Sequence, residues 1–337
     1  MRKPELLIPA SSLEVLKTAV SFGADAVYIG GEAFGLRAKA RNFSMEEMAE
    51  GIAFAHVHSV KVYVTANILA HNGDLNGART YFEELKNLKP DAPDALIISD
   101  PGMYTIAKEV CPEIERHIST QANNTNYLTY RFWWEQGAKR VVSARELSLR
   151  EIKEIRENIP EMVDAGIDSL KIEGRMKTAL YVATVARTYR KAIDDYFTSE
   201  ELYRSHMDWY KEEISKCTYR QFTTGFYFGK PDENTQIYDN NTYVNEYIYL
   251  GMIEEAKPEK GLVRITQRNK FCVGDTIEIM KPSGENVEVK VDEMFDGEGN
   301  AVESAPHPQQ EIWLRLSVMP DVQDILRVGN RKDAIPE

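Results

Sequence analysis

Cysteine is scarce: Cys111, Cys217 and Cys272 are the three in 337 residues, far apart and with no CxxC pair. That excludes a disulfide scaffold, offers no thiolate cluster with metal-ligand spacing, and points to a reducing compartment. Positive charge is also short, with 41 Lys and Arg against 53 Asp and Glu for a formal net charge of −12. An indiscriminate nucleic-acid binder is thereby disfavoured, although a local basic patch could still hold RNA. No apolar run approaches the ~20 residues of a membrane span. Met1-Arg2-Lys3-Pro4 leads into a strand rather than into the apolar stretch of a signal peptide. These absences predict a cytoplasmic protein with no membrane partner. No H-E-x-x-H, G-x-S-x-G or catalytic cysteine context occurs, so neither a zinc peptidase nor a nucleophile elbow is indicated.

What is present is alternation. Short apolar strand patterns at 5–9, 26–31, 61–68, 95–100, 115–120, 139–145 and 169–174 are separated by amphipathic helical patterns. Such alternation implies a parallel sheet. The first strand runs into Ile8-Pro9-Ala10-Ser11-Ser12, which is no glycine-rich dinucleotide turn, so a (β/α) barrel is favoured over a doubly wound sheet. Only seven strands can be counted. The stretch 148–166 supplies one helix where a complete barrel would place a further β/α unit, which predicts a gap between the strands at 139 and 169. The unpaired edges there suit a homodimer or a partner protein. Helices follow at 178–196 and 199–216. From 250 the chain is all short strands and turns, with strands expected at 261–267, 275–280, 287–291 and 312–318. The reading is a TIM-like (β/α) barrel lacking about one β/α unit over 1–217, a linker over 218–249, and a small β-barrel domain over 250–337.

The strand at 169 carries Lys171, Glu173 and Arg175 at alternate positions, so all three face one way. Three charges on one face of a buried strand are costly unless they pair or meet a polar ligand. They read as a catalytic and anion-binding rim, or as a structural ion network. At the same rim fall Glu32, Asn67, Gln121 and Glu146, each after a strand, while Arg37 adds charge in the loop after the second strand. His117 shares a strand face with Ser119 and Gln121. Lys171, Glu173, Glu146 and His117 are the acid–base candidates, and Arg175, Gln121, Asn67, Glu32 and Arg37 the substrate contacts. No metal ligand set is found.

The motifs 26–31, 37–43, 119–123, 144–148, 171–176, 223–229 and 306–310 together resemble the collagenase-like peptidase family of unassigned catalytic type, class U, thirty-second of its series, in the subgroup with a C-terminal β domain. The resemblance implies a barrel enzyme once named for peptidase activity, with members tied to oxygen-independent hydroxylation of tRNA, ribosomal RNA or ubiquinone precursors. In the tRNA branch, which hydroxylates the wobble uridine, it implies prephenate as co-substrate. It also implies an iron–sulfur cluster held by cysteines in a segment that has no counterpart here, between Pro160 and Glu161. No cofactor is therefore expected in this chain. The implied partners are a small anionic ligand and tRNA, with the RNA activity impaired by the lost segment. A peptidase and a non-catalytic binding module are the alternatives.

Overall fold

The computed structural model describes residues 3–35, 42–157, 168–174, 178–218, 223–230 and 246–329. Among them the chain divides into two compact units, Met1–Val182 with Phe222–Asn240, and Ala183–Gln221 with Asn241–Glu337.

The first unit is built on seven parallel strands: β1 (Glu5–Pro9), β2 (Ala26–Gly30), β3 (Lys61–Ala66), β4 (Ala95–Ile98), β5 (Glu115–Ile118), β6 (Arg140–Val141) and β7 (Ser169–Lys171). Their order in the sheet is β6-β5-β4-β3-β2-β1-β7. This is the order of a (β/α) barrel, open between β6 and β7 among the described residues, where the sequence places the gap. Among the described residues six helices connect the strands: α1 (Leu13–Ser21), α2 (Met45–Val57), α3 (Leu75–Lys86), α4 (Pro101–Val110), α5 (Tyr127–Glu135) and α6 (Leu149–Glu157). Several start where a side chain replaces the missing helical acceptor, as at Ser12, at Asp100, and at Ser44 with Glu47 in a reciprocal box.

Parallel register sets which side chains share the inside. Leu7 lies opposite Ala26 on one side and Lys171 on the other, and Glu5 lies opposite Ser169. Leu7, Ala26, Tyr28, Tyr63, Ala95 and Ile97 form the apolar inner layer. The alternate residues Leu6, Ile8, Val27 and Ile29 are buried on the opposite, helix-facing side of their strands. The sheet is curled, because Glu5 of β1 accepts two hydrogen bonds from Arg140 of β6 although four strands separate them in the sheet.

β6 and β7 are shorter than their sequence patterns, which ran to 145 and 174. The chain leaves the sheet after Lys171 and turns at Gly174, whose φ of 142° is in the range that favours glycine.

The second unit holds a closed antiparallel barrel in the order β10-β11-β12-β9-β8-β13. Its strands are β8 (Tyr247–Lys257), β9 (Leu262–Thr266), β10 (Thr276–Met280), β11 (Asn286–Asp296), β12 (Glu311–Leu316) and β13 (Ile325–Gly329). Alternation along β10 and β12 sends Ile277, Ile279, Ile312 and Leu314 into a core shared with Leu250, Val263 and Leu326. The division between units falls within α7 (Ala179–Thr198), and α8 (Glu200–Ser205) and α9 (Met207–Ser215) belong with the barrel. The physical reason is ionic. Arg187 of α7 donates to Glu213 of α9, to Asn286, and to the carbonyls of Lys281 and Glu285 at the β10–β11 turn. Arg327 of β13 pairs with Glu213 and Glu278. Arg187, Glu213 and Arg327 are each at most 2 % exposed.

Candidate active site at the strand ends

Lys171 ends β7 with its side chain on the inner face of the barrel, 14 % exposed. Its ammonium lies 4.6 Å from the centre of the Tyr28 ring and 3.3 Å from Glu173 Oε1. Arg145, in the loop between β6 and α6, brings its Nη2 to 3.8 Å from the same carboxylate oxygen. The Tyr28 hydroxyl stands 3.0 Å from the carbonyl oxygen of Ile172 and 3.3 Å from Glu173 Oε2. Tyr181 donates to the Glu173 carbonyl at 3.2 Å. Two cations, one carboxylate and one phenol thus meet at the C-terminal ends of β2, β6 and β7, the end where such barrels place their chemistry. The carboxylate is about half exposed, so it is open to a ligand. The set can hold an anion and exchange a proton.

Sequence reasoning selected Lys171 and Glu173 but missed Tyr28, Arg145 and Tyr181. Tyr28 and Arg145 sit inside motifs that were singled out, but an aromatic residue in a strand reads as core, and Arg145 looks like an ordinary loop charge.

His117 belongs elsewhere. It is fully buried on β5, and its Nε2 lies 3.2 Å from Glu115 in a network at the opposite, N-terminal end of the strands. There Glu5 also accepts from Tyr63 at 2.8 Å and from Ser169 at 3.0 Å. Burial raises the Glu5 pKa, yet the Arg140 guanidinium and the two hydroxyls outweigh it and the carboxyl lies below its ordinary value. Burial and the nearby Arg140 charge push His117 down to about 4, so its imidazole is neutral at neutral pH. This is an interior plug of ions and polar groups.

The other candidates scatter along the rim. Glu32 and Gln121 are exposed, Gln121 within a short 3-10 turn (Thr120–Ala122) that Ser119 caps. Asn67 is half-buried, and its carbonyl lies 3.4 Å from the Ser99 hydroxyl. Glu146 lines a separate cleft of about 1040 Å³, formed with Ser148, Arg150, Glu151, Glu154 and the segment 223–230. In that segment Tyr227 and Phe228 are 57 % and 81 % exposed. Arg37 and Arg175 lie outside the described residues.

The thiols do not fit an iron–sulfur cluster. Three cysteines fall short of the four thiolates usually required. Cys111 packs as a core residue, donates to the Ala107 carbonyl, and is pushed up to about 11 by burial. Cys217 is also buried. No group of three or more His, Cys, Asp or Glu with metal-binding geometry occurs among the described residues.

Comparison with known proteins adds the family. The profile of peptidase family U32 matches residues 11–159 and 156–237, and that of the peptidase family U32 C-terminal domain matches 245–327. The chain is 33 % identical to tRNA hydroxylation protein P1 of Bacillus subtilis (strain 168), covering 97 % of this chain and 95 % of that one. With tRNA hydroxylation protein P of Escherichia coli (strain K12) the identity is 28 %, over 93 % and 94 % of the two chains. With the uncharacterized protease MJ0090 of Methanocaldococcus jannaschii it is 30 %, over 82 % and 86 %. The B. subtilis alignment runs over 406 positions, more than the 337 residues of this chain, so that relative has residues without counterparts here.

Proposed function

The chain belongs to peptidase family U32, and from that premise we propose that it acts in tRNA modification, on the hydroxylation of the wobble uridine, through the site at Lys171 and Glu173. The observation that carries this reading is the pair of cations flanking one accessible carboxylate at the strand ends. Lys171 and Arg145 hold an anionic co-substrate, and Glu173 moves a proton. Prephenate, a dicarboxylate, suits two converging cations, with Arg175 and Arg37 as further candidate contacts. Tyr227 and Phe228, exposed in the neighbouring cleft, offer ring faces to RNA bases. An RNA substrate implies a cytoplasmic setting. Among the described residues no helix is long and apolar enough to cross a membrane.

We further propose that the activity is impaired. The two matches to the U32 profile meet at 156–159, between β6 and β7, where the sheet is open. On this reading the residues that the B. subtilis relative has in excess belong at that point. No step of this reading passes through an iron–sulfur group.

A nucleophile–base peptidase would hydrogen-bond a Ser, Thr or Cys to a histidine. Among the described residues the bonds of His56, His58, His117 and His206 go to carboxylates or a backbone carbonyl, and burial disfavours the Cys111 thiolate. The test is nucleoside mass spectrometry of tRNA from cells that lack their own hydroxylation proteins and express this chain or the B. subtilis relative, with calorimetric titration of prephenate in parallel. Prephenate binding with hydroxyuridine well below the relative's level is expected. Equal hydroxyuridine would remove the impairment, and no prephenate binding would remove the anion site.

A further inference from the structure

We propose that Tyr28 is a positioning residue that keeps Glu173 hydrogen-bonded in both of its protonation states. The proposal rests on the reading of Glu173 as the proton-moving group and adds the device that makes the exchange possible.

Tyr28 is 3 % exposed and sits in the inner layer of the barrel with Leu7 and Tyr63. Its hydroxyl oxygen is within hydrogen-bond distance of two oxygens of different character, the carbonyl of Ile172 at 3.0 Å and Glu173 Oε2 at 3.3 Å. A phenol has one proton to donate and lone pairs to accept with. While Glu173 is ionised, the Tyr28 proton points to the carboxylate. Once Glu173 takes up a proton, its new O–H donates to the phenol oxygen, and the Tyr28 proton turns to the Ile172 carbonyl. That carbonyl does not titrate, so it is available at every pH. Tyr28 itself gains and loses no proton, and its hydroxyl stays a partner of the carboxyl in either state.

The other described groups that meet Glu173 are charges or anchors. Lys171 at 3.3 Å and Arg145 at 3.8 Å are cations beside its carboxylate, and Tyr181 ties down the Glu173 backbone carbonyl. The Tyr28 ring also supports the Lys171 ammonium from below, so one side chain orients both members of the pair.

The experiment is a carbon-13 NMR titration of glutamate side-chain carboxyl carbons in the full chain, with the Glu173 signal assigned by its loss in Glu173→Gln. Tyr28→Phe keeps the ring and removes both hydrogen bonds. It should raise the Glu173 midpoint, because the charge-assisted bond lost from the ionised form is stronger than the neutral bond lost from the protonated form, while the melting temperature stays within a few degrees of wild type. Tyr28→Leu, which also removes the ring, should in addition change the pH profile of Lys171 acylation. An unchanged midpoint in Tyr28→Phe overturns the proposal. So does a midpoint that moves only together with a large fall in melting temperature. If tRNA carries no hydroxyuridine while the midpoint shifts as expected, the RNA reading fails and the role of Tyr28 stands.

Discussion

The two units handle charge in opposite ways. The closed barrel has an apolar core, and its most buried cations, Arg187 and Arg327, are locked with Glu213 and Glu278, which fastens α7 and α9 to its strands, while the buried Asp324 pairs with Lys281. The open parallel barrel carries ions on its inner face at both ends, Glu5 with Arg140 at one and Lys171 with Glu173 at the other. A buried lock is costly to break and leaves nothing for a ligand to do. A half-exposed pair at strand ends contributes little stability and can exchange partners, which is what a binding site needs.

Breaking the lock should have the largest effect. Glu213→Gln leaves two buried guanidinium groups short of one carboxylate and should destabilise the second unit by about 3–5 kcal/mol, read from denaturant unfolding. Burial raises the Glu213 pKa, but Arg327 and Arg187 together hold it down to about 2. Its contribution is therefore full above the unfolded value of 4.5 and is lost as the pH falls toward 2. A C-terminal transition that collapses above pH 4.5 would contradict this.

The interior plug should come next. Arg140→Met strands Glu5 among Tyr63 and Ser169 and should cost about 1–3 kcal/mol in the first unit. The same plug predicts a different acid window. His117 has a folded value near 4 against an ordinary 6.5, so stability that is full above pH 6.5 should fall as the pH drops toward 4. Replacing His117 with Gln should flatten that slope without touching the window set by Glu213. Thermal melts across pH 3–7 measure both.

At the rim the order reverses, with function lost and stability kept. Lys171→Met should change folding stability by less than about 1 kcal/mol, since its partner Glu173 is half exposed. It should weaken prephenate binding by roughly ten- to a hundred-fold through loss of a charge-assisted contact. The smallest effect belongs to Arg145→Ala. Its 3.8 Å approach to Glu173 is the loosest of the set, so stability should be unchanged and affinity should drop by only about threefold to tenfold. A fall in melting temperature with no change in affinity for either variant would make the rim a second structural lock.

Much of this architecture is legible in residue patterns. The seven parallel strands, their opening between β6 and β7, and the barrel after residue 250 follow from periodicity and turn chemistry. Two barrel strands were missed. β8 begins at Tyr247, inside what reads as a linker, and β13 carries a fully buried arginine that breaks the apolar pattern. The Lys171–Glu173 ion pair was legible because charge on an inward strand position is costly enough to require a partner. The contact of Tyr28 was not, because its partner lies 144 residues away in the chain. His117 was misplaced along the barrel axis. Residue alternation assigns a side chain to the inner face but does not say which end of a short strand it occupies.

One backbone contact bears on the order of synthesis. Leu149 at the start of α6 donates its N–H to the carbonyl of Tyr227, and residues Phe222–Asn240 belong to the first unit although Ala183–Gln221 belong to the second. A ribosome making this chain therefore finishes the first unit only after it has laid down the helices of the other unit. The nascent first unit must wait with the top of α6 unsealed, and no single cut in the gene can release either unit whole.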